Sequence, residues 1–244
     1  MDLGLSGRTA IVCGASAGMG LAIAEALSEE GANVAMFARR RDVLEREAER
    51  IGALAVQGDV RDPRALETLV QRTVAAFGGV DVLVNNSGGP PRSPARGLTA
   101  EAVEDAVALL LVSAIRLTEL CLPHLEASGR GRVINIASST VREPADNLAL
   151  SNSVRPGVVG WAKTLAREVG PSGITINTIA PGWIETERLR EAFPGEEALG
   201  RVALRRVGQP REVAEVVCFL ASDRAAYVTG TVIPVDGGMS RFLL

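Results

Sequence analysis

The chain has 244 residues, 47% of them hydrophobic, which suits one large domain with a full apolar core. A formal net charge of −3 without a basic tract argues against a nucleic-acid partner, and no apolar run approaches the roughly 20 residues that span a bilayer. The N-terminus does not resemble a signal peptide, and the widely spaced Cys13, Cys121 and Cys218 indicate reduced thiols in a cytoplasmic protein rather than disulfides or a metal site.

Apolar runs of strand length alternate with longer segments of helical periodicity. The predicted strands are Thr9–Cys13, Asn33–Ala38, Leu54–Gln57, Val80–Asn85, Arg132–Ala137, Ile174–Ile179 and Val232–Val235. The predicted helices lie near residues 19–30, 41–51, 63–77, 100–127, 157–169 and 210–221. The strands are apolar throughout, as in a parallel sheet that is covered on both faces. This order predicts an α/β fold over residues 1–244: a single-domain, Rossmann-like, doubly wound parallel sheet of about seven strands with helices on both faces.

A glycine-rich turn follows the first predicted strand and opens the first helix. It reads Gly14-Ala15-Ser16-Ala17-Gly18-Met19-Gly20. Its three glycines let the backbone turn tightly and approach a pyrophosphate, and the helix N-terminus offers free N–H groups to that anion. The strand–turn–helix context predicts phosphate binding, and the simpler alternative is a tight turn with no ligand.

The second predicted strand ends at Ala38 and is followed by Arg39, Arg40 and Arg41. An acidic residue here would accept hydrogen bonds from a ribose 2′-hydroxyl and favour NAD(H), whereas a guanidinium suits a 2′-phosphate. Arg39 therefore predicts NADP(H) as the preferred cofactor, with NAD(H) possible. We interpret Arg40 and Arg41 as the solvated start of the next helix.

Pro156 interrupts a stretch that otherwise has a helical pattern. A proline inside a helix removes a hydrogen-bond donor and clashes with the preceding turn, at a cost of about 3 kcal/mol. It also biases the residue before it, Arg155, away from helical geometry. We therefore expect the helix to begin after Pro156 or to be kinked there.

Further motifs follow one another along the chain. They are Asp59-Val60, Asn85-Asn86-Ser87-Gly88, Gly131–Ser139, Val158–Glu168, Ile176–Gly182 with its extension to Thr186, and Val235–Gly238. Together with the glycine turn they resemble the short-chain dehydrogenase/reductase family, close to its 3-oxoacyl-thioester reductases. The resemblance implies a substrate lid at about residues 185–208 and a homo-oligomer, either a tetramer or a dimer. The cofactor contacts that it implies are Gly14, Ser16, Gly18, Met19, Gly20, Arg39, Asp59, Val60, Asn86, Gly88, Pro181, Gly182, Ile184 and Thr186.

The resembled family uses a catalytic tetrad of Asn, Ser, Tyr and Lys, and this chain alters it. By local spacing the four positions carry Leu110, Ser138, Ser151 and Arg155, with the serine after Ser138 as a fallback. In the family, Tyr gives a proton to the substrate oxygen, Ser holds the carbonyl, Lys binds the nicotinamide ribose and lowers the Tyr pKa, and Asn anchors a water. We expect Pro156 to prevent Ser151 and Arg155 from superposing on that Tyr and Lys.

Two functions therefore stay open. The first is an NADP(H)-dependent oxidoreductase that reduces the carbonyl of a small, 3-oxoacyl-thioester-like substrate through Ser138, Ser151 and Arg155. The second is a dinucleotide-binding regulatory or scaffold protein without catalysis. Glu143 and Asp146 are alternative acids, although solvated loop charges explain them more simply. We expect no metal, nucleic acid or membrane as a partner.

Overall fold

The computed structural model describes residues 2–191 and 195–243, and its strands form one parallel sheet. The strands are β1 Thr9–Cys13, β2 Asn33–Ala38, β3 Leu54–Gln57, β4 Val82–Asn85, β5 Arg132–Ile136, β6 Thr175–Pro181 and β7 Val232–Val235. Their spatial order is β3-β2-β1-β4-β5-β6-β7, so the chain reverses direction across the sheet between β1 and β4. A reversal of this kind opens a crevice at the carboxyl ends of the strands. The predicted doubly wound sheet of about seven strands is confirmed.

Helices cover both faces of this sheet. They are α1 Gly18–Glu29, α2 Arg41–Ile51, α3 Pro63–Phe77, α4 Ala100–Val107, α5 Ser113–Ser128, α6 Ala149–Val169, α7 Glu187–Arg190 and α8 Pro210–Ala221. Neighbouring residues of β1 point to opposite faces. Val12 packs into an apolar cluster with α1, α2 and α8, while Ile11 packs into a second cluster with α3, α5 and α6. Both faces of the strands are therefore buried, which explains their continuously apolar sequences.

Local capping residues explain where two of the helices begin. Asp62 caps α3 by accepting a hydrogen bond from the Arg64 backbone nitrogen, and Pro63 takes the first helical position. Pro210 opens α8 in the same way, inside a capping box made by Gln209 and Glu212.

The predicted helix near 100–127 contains a change of helix type. Between α4 and α5 the backbone forms a π-helical turn, Ala108–Val112, and Leu110 lies buried in that turn. Single π turns inside α-helices are frequent at functional sites, because the extra residue shifts the register of the side chains that follow. Leu110 and Ser113 consequently face the region of the site described below.

The same stretch corrects an expectation about apolar length. Within the described residues, the helical segment Ala100–Ser128 is long and apolar enough to cross a membrane by length and composition alone. Charged residues such as Arg116 and Glu119 interrupt its apolar sequence. Core helices of water-soluble proteins meet the same criterion, so the criterion is weak evidence for a membrane segment.

Helix α6 corrects the expectation about Pro156. The helix begins at Ala149 and runs to Val169, with Pro156 inside it, so the expected later start is wrong. Buried apolar side chains, among them Leu150, Val154 and Val158, pack α6 on both sides of the proline. Burial of each such side chain contributes about 1.5–3 kcal/mol, and together these contributions exceed the proline cost of about 3 kcal/mol.

Candidate functional site

The predicted site residues gather at one edge of the sheet, because each of them follows the carboxyl end of a parallel strand. The crevice of a doubly wound sheet lies at this edge. The sequence positions are Gly14–Gly20 after β1, Arg39 after β2, Asp59 and Val60 after β3, Asn86 and Gly88 after β4, Ser138 after β5, and Pro181 to Thr186 at and after the end of β6.

The turn between β1 and α1 has the shape that a bound pyrophosphate requires. A Cβ on Gly14 would lie 2.7 Å from Asn86 Nδ2, and one on Gly20 would collide with the Gly14 carbonyl oxygen. Gly18 has a φ of +57°, and Ala17 at the N-cap gives the first turn of α1 no side-chain acceptor. The backbone can therefore approach a ligand closely, with N–H groups left for an anion. These residues fit the dinucleotide cofactor that the sequence predicts.

The predicted 2′-phosphate contact, Arg39, is exposed after β2. Near it, Arg61 Nη2 lies 2.8 Å from Asp59 Oδ2. This hydrogen bond lowers the pKa of Asp59, and the charge of Arg39 lowers it further. Arg40 and Arg41 are exposed at the start of α2, as the sequence suggested, and Arg40 Nη1 also lies 3.6 Å from Glu187 Oε2 in α7.

Arg155 extends from α6 to the end of β5. Its Nη1 donates to the carbonyl oxygens of Ile136, at 3.2 Å, and Ala137, at 3.0 Å. Its Nε donates to Ser151 Oγ, one helical turn earlier, at 3.1 Å. Both Ser151 and Arg155 therefore lie in regular helix, and the expectation that Pro156 would force Arg155 out of helical geometry is wrong.

Ser138 and Ser151 are linked by a residue that the sequence analysis missed. Thr140 Oγ1 lies 3.2 Å from Ser151 Oγ, and the Thr140 backbone nitrogen donates to Ser138 Oγ at 3.2 Å. Ser138 thereby caps the short 3-10 helix Ser139–Val141. A Ser-Ser-Thr run after an apolar strand was the available signal for Thr140. The result is a polar chain from Thr140 through Ser151 to Arg155.

The guanidinium of Arg155 carries an uncompensated charge. The residue is 9% exposed, and no carboxylate in the described part of the chain makes an ion pair with it. Burial lowers the pKa of Arg155 to about 10, and the charge of Arg188 lowers it further. At neutral pH the group is still protonated, so a cation lies beside the two serines.

A small cavity of about 30 Å³ adjoins Arg155. Its lining includes Leu110, Ser113 and Asn135, and the Asn135 Nδ2 atom is buried without a hydrogen-bond partner among the described residues. A cavity needs about 10–15 Å³ to hold a water molecule, so this one can take a water beside an available donor. Sequence reasoning missed Asn135, although an Asn within an apolar strand was a usable signal.

Helix α7 lies across the opening of the crevice. Arg188 donates from Nη1 to the Gly89 carbonyl oxygen, at 2.8 Å, and from Nη2 to that of Pro90, at 2.6 Å. Thr186 caps α7, and its Cγ2 atom would lie 3.2 Å from a Cβ on Gly18. The predicted lid, about 185–208, thus contacts the glycine turn and the segment after β4, while its residues 192–194 lie outside the described residues.

The alternative acids are not brought into the cluster. Glu143 and Asp146 are exposed loop residues without a described ion pair. Tyr227, the single tyrosine of the chain, is fully exposed after α8. No tyrosine hydroxyl therefore lies among Ser138, Ser151 and Arg155.

Comparisons with known proteins agree with this architecture. A family model described as enoyl-(acyl carrier protein) reductase matches residues 14–240. The 3-oxoacyl-[acyl-carrier-protein] reductase FabG of Vibrio cholerae serotype O1 is 36% identical over 242 residues, covering 97% of this chain and 99% of that protein. The solved L-sorbose reductase of Gluconobacter frateurii, complexed with NADPH and L-sorbose, has a TM-score of 0.92 at 33% identity and full coverage of both chains. YwfH, an NADPH-dependent reductase involved in bacilysin biosynthesis, has a TM-score of 0.93 at 27% identity, over 97% of this chain and 99% of its own.

Proposed function

The chain belongs to the short-chain dehydrogenase/reductase family, and from this premise we propose that it is an NADP(H)-dependent carbonyl reductase of the 3-oxoacyl-thioester type with an altered active site. The observation that carries the proposal is the polar chain Thr140–Ser151–Arg155, which lies at the same sheet edge as the glycine turn. By local spacing we assign Ser151 and Arg155 to the positions of the family's Tyr and Lys. A small-molecule substrate would enter beneath α7.

The cofactor half of the site favours NADP(H). Arg39 follows β2, where an acidic residue would select a ribose 2′-hydroxyl, and its exposed guanidinium can pair with a 2′-phosphate instead. The turn from Gly14 to Gly20 binds the pyrophosphate, and the residues from Pro181 to Thr186 hold the nicotinamide end. L-sorbose reductase, which is similar over its whole length, is described in complex with NADPH. NAD(H) is the weaker alternative.

The catalytic half stabilises the charge that develops during carbonyl reduction. When bound, NADPH supplies the hydride. As the carbonyl oxygen becomes negative, Ser138 and Ser151 donate hydrogen bonds to it, and Arg155 stabilises the charge from behind Ser151. Because Arg155 Nε donates to Ser151 Oγ, the hydrogen of Ser151 is available to Thr140 or to the substrate. A serine hydroxyl is a weak acid, so we expect the final proton to come from solvent rather than from a side chain.

The proposal extends to the domain organisation, the location and the assembly of the chain. We treat residues 1–244 as one domain, with residues 185–208 as the substrate lid. Three buried free thiols suit a reducing, cytoplasmic location. On the surface of α5 and the π-helical turn before it, Val112, Ile115 and Leu120 line a mainly apolar groove together with Arg116 and Glu119. We expect this face to pair copies of the chain into a dimer or tetramer. Light scattering on wild type and Ile115→Glu tests this, and a monomeric wild type would contradict it.

Calorimetric titration with NADPH and NADH tests the cofactor assignment. We expect NADPH to bind more tightly, and Arg39→Ala to weaken NADPH binding about 10-fold or more while NADH binding changes little, because a charge-assisted phosphate contact is lost. Arg72→Ala, which removes an exposed arginine from α3, is the matched control. Equal losses for both cofactors would contradict the role of Arg39.

The second candidate is a dinucleotide-binding regulatory or scaffold protein. Leu110 at the cavity and the exposed position of Tyr227 favour it, since neither side chain can serve the family's proton transfer. The triple change Ser151→Tyr, Arg155→Lys and Leu110→Asn separates the candidates in an NADPH-consuming ketone assay. Activity in wild type supports the reductase. Activity only after the triple change supports the non-catalytic alternative.

A further inference from the structure

Within the described part of the chain, the guanidinium groups of Arg155 and Arg188 lie at the substrate end of the crevice without a carboxylate in an ion pair with either. Resting on the proposed reductase function, we infer that the substrate is itself an anion, a short oxo acid or a phosphorylated carbonyl compound, whose charged group binds Arg188 while its carbonyl oxygen faces Ser151 and Arg155. The charged group would thus replace the thioester of a 3-oxoacyl substrate.

The first part of the argument is the burial of Arg155. Three arginines are buried among the described residues, namely Arg8, Arg132 and Arg155. Arg8 and Arg132 share the carboxylate of Asp223, whereas Arg155 bonds only to neutral oxygens. A buried charge is costly unless it is paired, so a cation without a carboxylate favours a ligand that brings negative charge.

The second part is the position of Arg188. Within the described structure its guanidinium donates to the carbonyl oxygens of Gly89 and Pro90, in the segment that follows β4. Arg155 bonds to carbonyl oxygens at the end of β5, the strand next to β4. The two guanidinium groups therefore lie above the ends of adjacent strands, near enough for the charge of Arg188 to lower the pKa of Arg155.

The N–H groups of Arg188 that make no hydrogen bond within the described structure also fit an anion. A guanidinium has five N–H groups in a planar fork that matches carboxylate and phosphate oxygens. Arg188 uses two of them within the described structure, from Nη1 and Nη2. Burial and the charge of Arg92 lower the pKa of Arg188, and the charge of Glu191, three residues further along, offsets this only in part. Glu191 makes no ion pair with Arg188 within the described residues. A substrate anion can therefore bind Arg188 without displacing a carboxylate.

The reaction balances with this substrate class. The carbonyl carbon gains a hydride and its oxygen gains a proton from water, so the oxo acid is reduced to a hydroxy acid and NADPH is oxidised to NADP⁺. The anionic group takes part in no bond change. Its role is to orient the carbonyl against Ser151 and to balance the charge of Arg155 and Arg188.

Matched pairs of charged and neutral carbonyl compounds test the inference by kinetics. Acetoacetate is compared with methyl acetoacetate, and dihydroxyacetone phosphate with dihydroxyacetone. We expect kcat/KM to favour the anion about 10-fold or more in at least one pair, which also tells carboxylate from phosphate, and Arg188→Gln to abolish that preference. Arg190→Gln is the control, because Arg190 is exposed and paired with Glu185. A preference for the neutral member in both pairs would overturn the inference while leaving the reductase function intact.

Binding without turnover separates the two proposals. The NADPH-saturated protein is titrated calorimetrically with acetoacetate and with inorganic phosphate. Saturable binding of either anion that weakens about 10-fold or more in Arg188→Gln, but not in Arg190→Gln, supports the anion site even if no compound is reduced, in which case only the reductase function fails. No binding, or binding that is unaffected by Arg188→Gln, overturns the anion site.

Discussion

One buried arginine site lies at the amino ends of the parallel strands and another lies at their carboxyl ends. The two sites differ in the partners that compensate the arginine charge. At the amino-terminal edge, Arg8 bonds to Asp223 and to the Ala221 carbonyl oxygen at the end of α8, at 3.0 Å, and Arg132 lies beside it, 3.8 Å from the same carboxylate. At the carboxyl edge, Arg155 has three neutral acceptors and no described carboxylate partner.

This difference separates a structural charge from a functional one. One carboxylate and helix-end carbonyls compensate much of the charge of the two cations at the amino-terminal edge, although Arg8 Nε has no hydrogen-bond partner among the described residues. At the carboxyl edge, the charge of Arg155 is left to be balanced by a ligand that binds in the crevice. A buried arginine by itself therefore gives no evidence of function. The presence or absence of a counterion within the chain distinguishes the structural arginine site from the functional one.

The largest expected effect is on catalysis at the carboxyl edge. We expect Arg155→Met to lower kcat about 10²–10³-fold, because a preorganised charge beside the developing oxyanion is lost. The free energy of unfolding should change by no more than about 1 kcal/mol, since methionine has a similar length and no carboxylate is left unpaired. Steady-state kinetics and urea unfolding measure the two effects. A large loss of stability at unchanged kcat would mean that Arg155 is a structural residue rather than a functional one.

The opposite result is expected at the amino-terminal edge. Asp223→Asn should lower the free energy of unfolding by about 2 kcal/mol, below the roughly 3–5 kcal/mol of a fully buried pair, because the Asp223 side chain is 56% exposed. The value of kcat should not change. Glu67→Gln on the exposed face of α3 is the control for removing a carboxylate. Equal stability of the two variants would mean that Asp223 does not compensate the buried arginines.

The pH dependence of stability tests the same difference between the two arginine sites, and the expected change in the free energy of unfolding is smaller. The hydrogen bond from Arg8 lowers the pKa of Asp223, so the folded state releases this proton more readily than the unfolded state. The contribution of Asp223 to stability is present above its unfolded pKa of about 3.9 and is lost as the pH falls through the folded pKa. We therefore expect the stability gap between wild type and Asp223→Asn to narrow below about pH 4 in urea unfolding. A gap that stays constant with pH would exclude this linkage.

The smallest effect is expected for the exposed pair of Arg40 and Glu187, at the same edge as Arg155. Glu187→Gln should change the free energy of unfolding by less than about 1 kcal/mol, because both side chains are mostly exposed and solvent screens their attraction. Thermal unfolding at low and high salt measures this. A large, salt-dependent loss would show that the lid contact stabilises the fold as strongly as the amino-terminal arginine site.

The fold was predictable because its signals are local and repeated. Continuously apolar runs predicted the strands, and helical periodicity predicted the helices between them. Pro156 misled the prediction, because a local penalty was outweighed by packing on both sides of α6, which no local rule contains. The apolar length of Ala100–Ser128 was also underestimated.

The candidate site was predictable only in part. Strand ends and glycine spacing predicted the cofactor edge, and the positions of Ser151 and Arg155 came from resemblance rather than from physics. Thr140 and Asn135 were missed although each carried a weak local signal, because their roles depend on their positions beside the other site residues.

The sequence by itself determined the order of strands and helices, the tight glycine turn and the residue types at the altered positions, because periodicity, backbone freedom and side-chain chemistry are properties of nearby residues. Only the tertiary structure decided which arginine has a counterion. Asp223 is more than 200 residues from Arg8 in the chain yet bonds to it, whereas no described carboxylate reaches Arg155. Charge compensation depends on distance in space and on burial, and neither can be read from neighbours along the chain.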